Sequence, residues 1–523
     1  MTPARHRLGA LVALVAAPPA AAAPPPALAP AIASAPAAAL APAAPAAIAA
    51  ALAQAVALGR AGDCAGAIRL LDPMLPGLGG AERNAAQRVR LVCLHRVGRD
   101  GEVASVWREL STTVPDDALV LSFGVVAAAT AGDYRAAAER LTAIAERKPE
   151  ALRILTGALW QGIAQKLGEE GDHARRDRTA LALARVDWQP DDQPDLREGL
   201  ARGAINAALA DRDLAGARDL LGRVTLPGML TAMATARSYA PLWPDIEARL
   251  GPNGGHAADA FAAPALDAFA NAPDQAQRRL DAMRAFVVLG RLADVVELGR
   301  PVVAGPAFDQ TAMLIVAVEV EALVATGRRD AAIERLRPIA ASDLVAQPQA
   351  APAVVMLADL LDEAGRPAEA LAVARANARR TEVFSTYGAG WLRRTEACAL
   401  AGLGDRAAAA AVAAALPANA NPVAAVEALL CTGETDRAAD LAVATLASAE
   451  GADRLVGQFQ PESAQWAPDG SRTRALWRDL LRRPAVAAAF ERRARILPAS
   501  LRPAREPRDI PHLRGRIDPA ATT

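Results

Sequence analysis

The sequence is poor in the residues that build chemical sites. Aromatic side chains make up 3% of its 523 residues, Lys occurs only at Lys148 and Lys166, and there are five His and four Cys. Net charge is missing as well, with 58 basic residues against 58 acidic ones. A basic, aromatic-lined groove for nucleic acid does not fit this balance. The Cys are too far apart for a Cys-x-x-Cys pair, and no His-x-x-x-His or His-x-x-Glu-His spacing occurs, so no metal centre is expected. No Gly-x-x-x-x-Gly-Lys loop, Gly-x-Gly-x-x-Gly turn or Gly-x-Ser-x-Gly elbow is present, and no cofactor is expected.

What is abundant is alanine, at roughly a quarter of the chain, within an apolar fraction of 52%. That fraction is too high for global disorder, and the Ala/Leu/Arg/Glu bias favours helix. Arg5 and Arg7 precede a ten-residue apolar run, Leu8 to Ala17, which Pro18 and Pro19 end before a run of alanines. Basic start, short apolar core and small residues are the layout of a secretory signal peptide over 1–22, with cleavage near Ala22 and a periplasmic or secreted destination. The apolar run is half the length of about 20 residues that a membrane span needs. Residues 23–45 are almost entirely Ala and Pro and read as a semi-rigid linker.

A repeat organises the remainder. A small residue, usually Gly, is followed by one or two polar residues and then an Ala-rich amphipathic run. The phrase starts at Gly62, Gly98, Gly132, Gly290, Gly327, Gly365, Gly402 and Gly433, with weaker copies at Gly171, Ala210 and near Gly251. The mean interval is about 37 residues. Each phrase reads as a helical hairpin: the Gly tolerates positive φ at the turn, and Asp or Thr beside it caps the second helix. After Gly132, Ala137, Leu141 and Ile144 share one helix face and Pro149 closes the unit; after Gly98, Val103, Trp107 and Leu110 do the same before Pro115. A hairpin so poor in large side chains cannot bury a core alone, so neighbours must stack.

In Gly132-Asp133-Tyr134 with Ala137, Leu141 and Pro149, the chain resembles the tetratricopeptide repeat family. The resemblance implies an all-α, right-handed α-solenoid of about eleven stacked hairpins over 46–448, degenerate at about 180–270. Residues 449–497 resemble a C-terminal helical cap, in which Trp477, Leu480, Leu481, Val486 and Phe490 would cover the last repeat. The Pro- and Arg-rich tail, 498–523, is expected to stay disordered, and the N-terminus to be flexible.

In an exported chain the Cys are disulfide candidates. Cys64 opens the second helix of its hairpin and Cys93 lies late in the neighbouring antiparallel helix, while Cys398 and Cys431 sit near the ends of successive first helices. Four small buried hydrophobes would satisfy the same pattern. The residue six before the hinge is acidic in four successive C-terminal repeats, at Glu321, Asp359, Glu396 and Glu427, where earlier repeats carry Val56, Val92, Val126, Gln165, Ala204 and Arg284. The resemblance places this position on the inner surface and so implies an acidic ladder for an extended, basic peptide. The functional expectation is an exported, non-catalytic scaffold of the bacterial envelope that binds proteins or peptides, with no nucleic acid and no membrane span. The alternative is an enzyme or enzyme subunit with a small-ligand or glycan site in the irregular middle, near Trp188, Trp243 and His256. Glu462-Ser463, a pair found in wall-cleaving enzymes, lacks the downstream residues to build a cleft around it.

Overall fold

A computed structural model of the chain describes residues 45–511, except 191, 194, 195, 381, 469 and 470. The expected signal peptide and linker lie outside the described residues, apart from Pro45, which opens the first helix. The described residues are all-α and helical-repeat-like, with no β-strand among them and a single isolated bridge between Ala236 and Ala494. No helix among them is long and apolar enough to cross a membrane. The chain divides into two compact units, with the boundary at Arg223–Val224.

The N-terminal unit holds α1 (Pro45–Arg60), α2 (Cys64–Leu71), α3 (Gly80–Arg96), α4 (Asp100–Thr113), α5 (Ala118–Thr130), α6 (Tyr134–Arg147), α7 (Gly157–Glu169), α8 (His173–Arg185), α9 (Leu196–Ala210) and α10 (Leu214–Leu221). Each helix packs on the next, and α1 on α3 and α6 on α8 add contacts between neighbouring hairpins. The core is therefore built from adjacent pairs, as with Ile68, Leu71, Leu91, Leu94, Val106 and Leu110, all buried in one cluster.

One turn explains the repeat. The first helix of each pair ends in a residue of left-handed backbone, and the next residue donates its N–H to a carbonyl five residues back. Asp133 N–H donates to Ala128 (2.9 Å), Arg291 N–H to Phe286 (2.8 Å) and Glu434 N–H to Leu429 (2.9 Å). This bond satisfies a carbonyl that the helix end would otherwise orphan. The left-handed residue is Gly62, Gly98, Gly132, Gly171, Gly290, Gly327, Gly365, Gly404 or Gly433, with φ between +70° and +87°. The residue after the hinge then caps the second helix where it is Asp: Asp63, Asp133, Asp172, Asp213 and Asp405 each accept from the N–H three residues on.

Two hinges differ from the sequence reading. The left-handed residue of one pair is Arg212 (φ +62°) rather than Ala210, and that of another is Gly404 rather than Gly402. At Gly251 the hinge is absent, because the following residue is Pro252, which has no N–H to give back to the helix. All three non-glycine residues with positive φ among the described residues, Asp187, Arg212 and Asn253, fall in the stretch expected to be degenerate.

The C-terminal unit starts with α11 (Pro227–Thr235), α12 (Trp243–Leu250) and α13 (Gly255–Asn271). It continues with hairpins α14 (Ala276–Val288) and α15 (Leu292–Gly299), α16 (Gln310–Ala325) and α17 (Arg329–Ala340), α18 (Ala351–Glu363) and α19 (Pro367–Asn377), α20 (Thr386–Gly402) and α21 (Arg406–Ala414), and α22 (Pro422–Cys431) and α23 (Thr435–Leu446). Then come α24 (Ala449–Phe459), α25 (Thr473–Leu481) and α26 (Pro484–Arg493). Trp477, Leu480, Val486 and Phe490 are buried in the cluster that runs through these hairpins, with Leu481 packed against it. Phe459 meets Trp477 and Phe490 edge-on, with centroids 5.0 and 5.5 Å apart.

The unit then closes on its own beginning. Ala494 bridges Ala236, Arg495 N–H donates to Thr235 (2.8 Å), and the 3-10 turn Ala499–Leu501 packs on the turn Pro252–Gly254. Trp466 Nε1 reaches Thr231 Oγ1 at 3.3 Å. The expectation of a disordered tail from 498 is corrected as far as Pro511: Leu501 and Pro503 are buried, and Arg508 N–H donates to Leu289 at 2.8 Å. Composition alone reads as a solvated tail, yet the arginines find carbonyls and a carboxylate of the same unit. Residues 512–523 lie outside the described residues.

Candidate functional site

The acidic positions sit on first helices of the C-terminal unit, and the hinge geometry sets their register. Counting six back from the left-handed residue gives Glu321 before Gly327, Asp359 before Gly365 and Glu427 before Gly433. With Gly404 as the fourth hinge, the matching residue is Cys398. Glu396 is therefore two residues out of register and is corrected as a ladder member.

Asp359 and Glu427 do not line an empty groove. They converge on Arg394, which α20 carries one helical turn before the ladder position and which is fully buried. Arg394 Nε donates to Glu427 Oε2 (2.9 Å) and Nη1 to Asp359 Oδ1 (2.5 Å). Asp362 and Glu363, at the end of α18, add carboxylate oxygens at 3.7 and 3.8 Å. The other side of the cluster comes from the segment that follows the repeats. Arg472 Nη2 donates to Asp362 Oδ2 (2.6 Å), the Arg472 N–H donates to Glu363 Oε2 (2.8 Å), and Ser471 Oγ donates to Glu363 Oε1 (2.7 Å). Trp477 Nε1 donates to Glu427 Oε1 at 2.9 Å.

Burial works against every charge here. It opposes the Arg394 cation, but attraction from Asp359, Glu427, Asp362 and Glu363 outweighs it and raises the guanidinium pKa further. For Asp362 burial wins: its carboxyl is raised above the ordinary range in spite of Arg394 and Arg472. The same holds for Glu319, raised by burial although Arg335 Nε donates to it at 2.8 Å. A carboxylate array of this kind can select guanidinium groups by charge-assisted hydrogen bonds. In this unit the groups it selects are the chain's own.

The remaining ladder residues are partnered too. Glu396, 18% exposed, accepts from Arg375 Nε at 2.9 Å, and Glu321 is half-buried and not a free carboxylate. Sequence reasoning missed Arg394, Asp362, Glu363, Arg472 and Trp477. For the first, the available signal was the pair Arg393-Arg394 in the middle of α20.

Cys398 and Cys431 form a disulfide with Cα atoms 5.1 Å apart, tying the first helices of successive pairs. Cys64 and Cys93 are buried free thiols. The Cys93 thiol is pushed up to about 12, first by burial and then by hydrogen bonding with Cys64. Among the described residues no group of His, Cys, Asp and Glu could hold a metal ion.

The residues of the alternative small-ligand site have packing partners. In the N-terminal unit Trp188 is buried and its Nε1 donates to the Leu152 carbonyl (3.1 Å). In the C-terminal unit the Arg495 guanidinium lies over the Trp243 ring, 3.6 Å from its centroid, and His256 Nδ1 is 3.2 Å from the Ala248 carbonyl. Ser463 Oγ accepts from Arg502 Nη1 at 3.1 Å, and the Glu462 carbonyl accepts from Arg505. A scan against protein-family models finds no match for this chain, and a search of the curated proteins finds none either.

Proposed function

We propose that the chain is an exported interaction scaffold: a tetratricopeptide-like, right-handed superhelical stack of hairpins that binds other proteins or peptides and carries out no chemistry. The observation that carries this reading is the hinge that recurs from Gly62 to Gly433, since the same turn repeated within each unit stacks pairs side by side with a shared face. In the C-terminal unit part of that face is taken by the chain's own arginines and Trp477. The N-terminal unit offers half-buried Val56, Val92 and Val126 at the equivalent position, an apolar surface suited to side chains of a partner. Bacterial proteins of this architecture assemble envelope machines, and fold analogy extends that role here.

The test is site-specific photocrosslinking in the native envelope. A photoreactive side chain at Val92 or Val126 should give a discrete adduct that is absent when it replaces Arg108, an exposed residue on the second helix α4. Equal labelling at all positions, or none, contradicts the scaffold reading. N-terminal sequencing of the same material should begin at Ala23; an intact Met1 contradicts export.

A further inference from the structure

The last described stretch of the chain, Arg502–Pro511, lies on the C-terminal unit as a peptide without helix or strand, and its seat has features of a built site. Arg508 Nη2 donates to both oxygens of Asp259 on α13, at 2.8 and 2.7 Å, and the Arg508 N–H donates to the Leu289 carbonyl at the end of α14 (2.8 Å). Arg505 donates to the carbonyls of Gln465 (3.2 Å) and Glu462. Two glycines make room for this segment, Gly255 for the Arg508 guanidinium and Gly290 for the backbone. A Cβ at Gly255 would meet Arg508 Nη1 at 3.0 Å, and one at Gly290 would meet the Glu506 carbonyl oxygen at 3.2 Å. Arginine, carboxylate, orphan helix-end carbonyl and a glycine cradle together read one ligand chemistry: an extended segment with arginines three residues apart.

The segment is also weakly held. From Ala504 to Pro511 no residue is buried, and the Arg508–Asp259 pair leaves 32% and 43% of the two side chains exposed. Water and salt screen a partly exposed ion pair, so it holds the segment only weakly. A segment with so few apolar contacts opens at low free-energy cost.

We propose that this seat is a displaceable peptide-binding site, covered in the resting chain by residues 502–511 and open to an arginine-bearing extended segment of a partner protein. The inference rests on the scaffold reading for its use in the cell, and not for its measurement. While the chain's own segment is attached, its effective concentration at the seat is about millimolar, so a free peptide competes poorly. Removing the Arg508 anchor relieves that competition.

The test uses the full-length chain and a fluorescent peptide of residues 502–511, followed by anisotropy. Arg508→Ala should bind the peptide at least about tenfold more tightly than the wild type, a difference of about 1.4 kcal/mol. Adding Asp259→Asn to Arg508→Ala should reverse the gain, and a peptide lacking the arginine corresponding to Arg508 should not bind. Identical far-ultraviolet circular dichroism of all variants controls for folding, and Arg505→Ala provides a second way to loosen the segment. Equal binding by wild type and variants, or no binding by any, overturns the proposal and leaves the envelope crosslinking test of the scaffold untouched.

Discussion

The N-terminal and C-terminal units use the same turn and arrive at different structures. In residues 45–223 the main contacts link a helix to its sequence neighbours, and the unit is the sum of adjacent pairs. In residues 224–511 the same pairs are followed by a segment that returns to the start, so that Arg495 reaches Glu247 across 248 positions. Local chemistry specifies a hairpin and repeats it. Whether a stack stays a row of neighbours or closes on itself is decided by a handful of side chains that carry no period.

The comparison breaks hardest at Arg394. Arg394→Leu leaves buried Glu427 and half-buried Asp359 without their shared cation, and a loss of about 3 to 5 kcal/mol is expected for the C-terminal unit. Chemical denaturation followed by hydrogen exchange should show protection lost in α18, α20 and α22 while α1–α10 keep theirs. Glu427→Lys should be at least as damaging, because it places a second cation against Arg394. Next is the disulfide. It closes a sequence separation of 33 residues, for which the chain-entropy model gives about 3 to 4 kcal/mol. Cys398→Ser should lower the melting transition of the C-terminal unit, and thiol counting under denaturation should rise from two to three free thiols.

Closure itself is probed by Arg495→Ala, which removes the cation stacked on Trp243 and the pair with Glu247, an expected cost of about 1 to 2 kcal/mol. Faster exchange confined to α11, α12 and α26 would agree; unchanged exchange would not. Hinge substitutions should act on both units alike. Gly132→Ala must hold a side chain at φ +78° and should cost about 1 kcal/mol. Arg212→Gly removes a strained side-chain conformation at φ +62° and should gain a few tenths of a kcal/mol.

Acidity gives the smallest and most discriminating contrast. Glu109 is held below the ordinary carboxylate range by hydrogen bonding from Arg83, and Asp187 by hydrogen bonding from Arg197. Their contribution to the N-terminal unit is present above the unfolded-state pKa and is lost as pH falls through the folded value. Asp362 and Glu319 are raised by burial, so their contribution to the C-terminal unit is complete below the unfolded-state pKa and is lost as pH rises through the folded value. Exchange measured from neutral pH down through the carboxylate range should therefore show the two sets acting in opposite directions, and Asp362→Asn should flatten its share.

Much of this was legible. The hinge recurs in the sequence because glycine takes left-handed backbone without a side-chain clash, and Asp133 or Asp172 after it signals the cap. At Gly402-Leu403-Gly404 two glycines competed for the hinge, and the Asp405 that follows the second, like Asp63 after Gly62, was the deciding clue. A hinge at Gly402 would put Glu396 at the ladder position, which Cys398 occupies when the hinge is Gly404. Arg212 was opaque because a non-glycine in left-handed backbone leaves no sequence mark. The docking of 498–511 was hidden for a different reason: Pro and Arg compose solvated tails and extended ligands equally well, and only the positions of Asp259 and the Leu289 carbonyl distinguish the two.

The C-terminal unit closes through the bridge between Ala236 and Ala494. Antiparallel bridged positions lie at Cα separations of about 4.5 to 5.5 Å, within reach of a disulfide. Ala236→Cys with Ala494→Cys, in a Cys398→Ser, Cys431→Ser background, should oxidise to one intramolecular bond, visible as a faster-migrating monomer on non-reducing electrophoresis with unchanged helicity. A pair that stays reduced, or joins only between molecules, would contradict the closure.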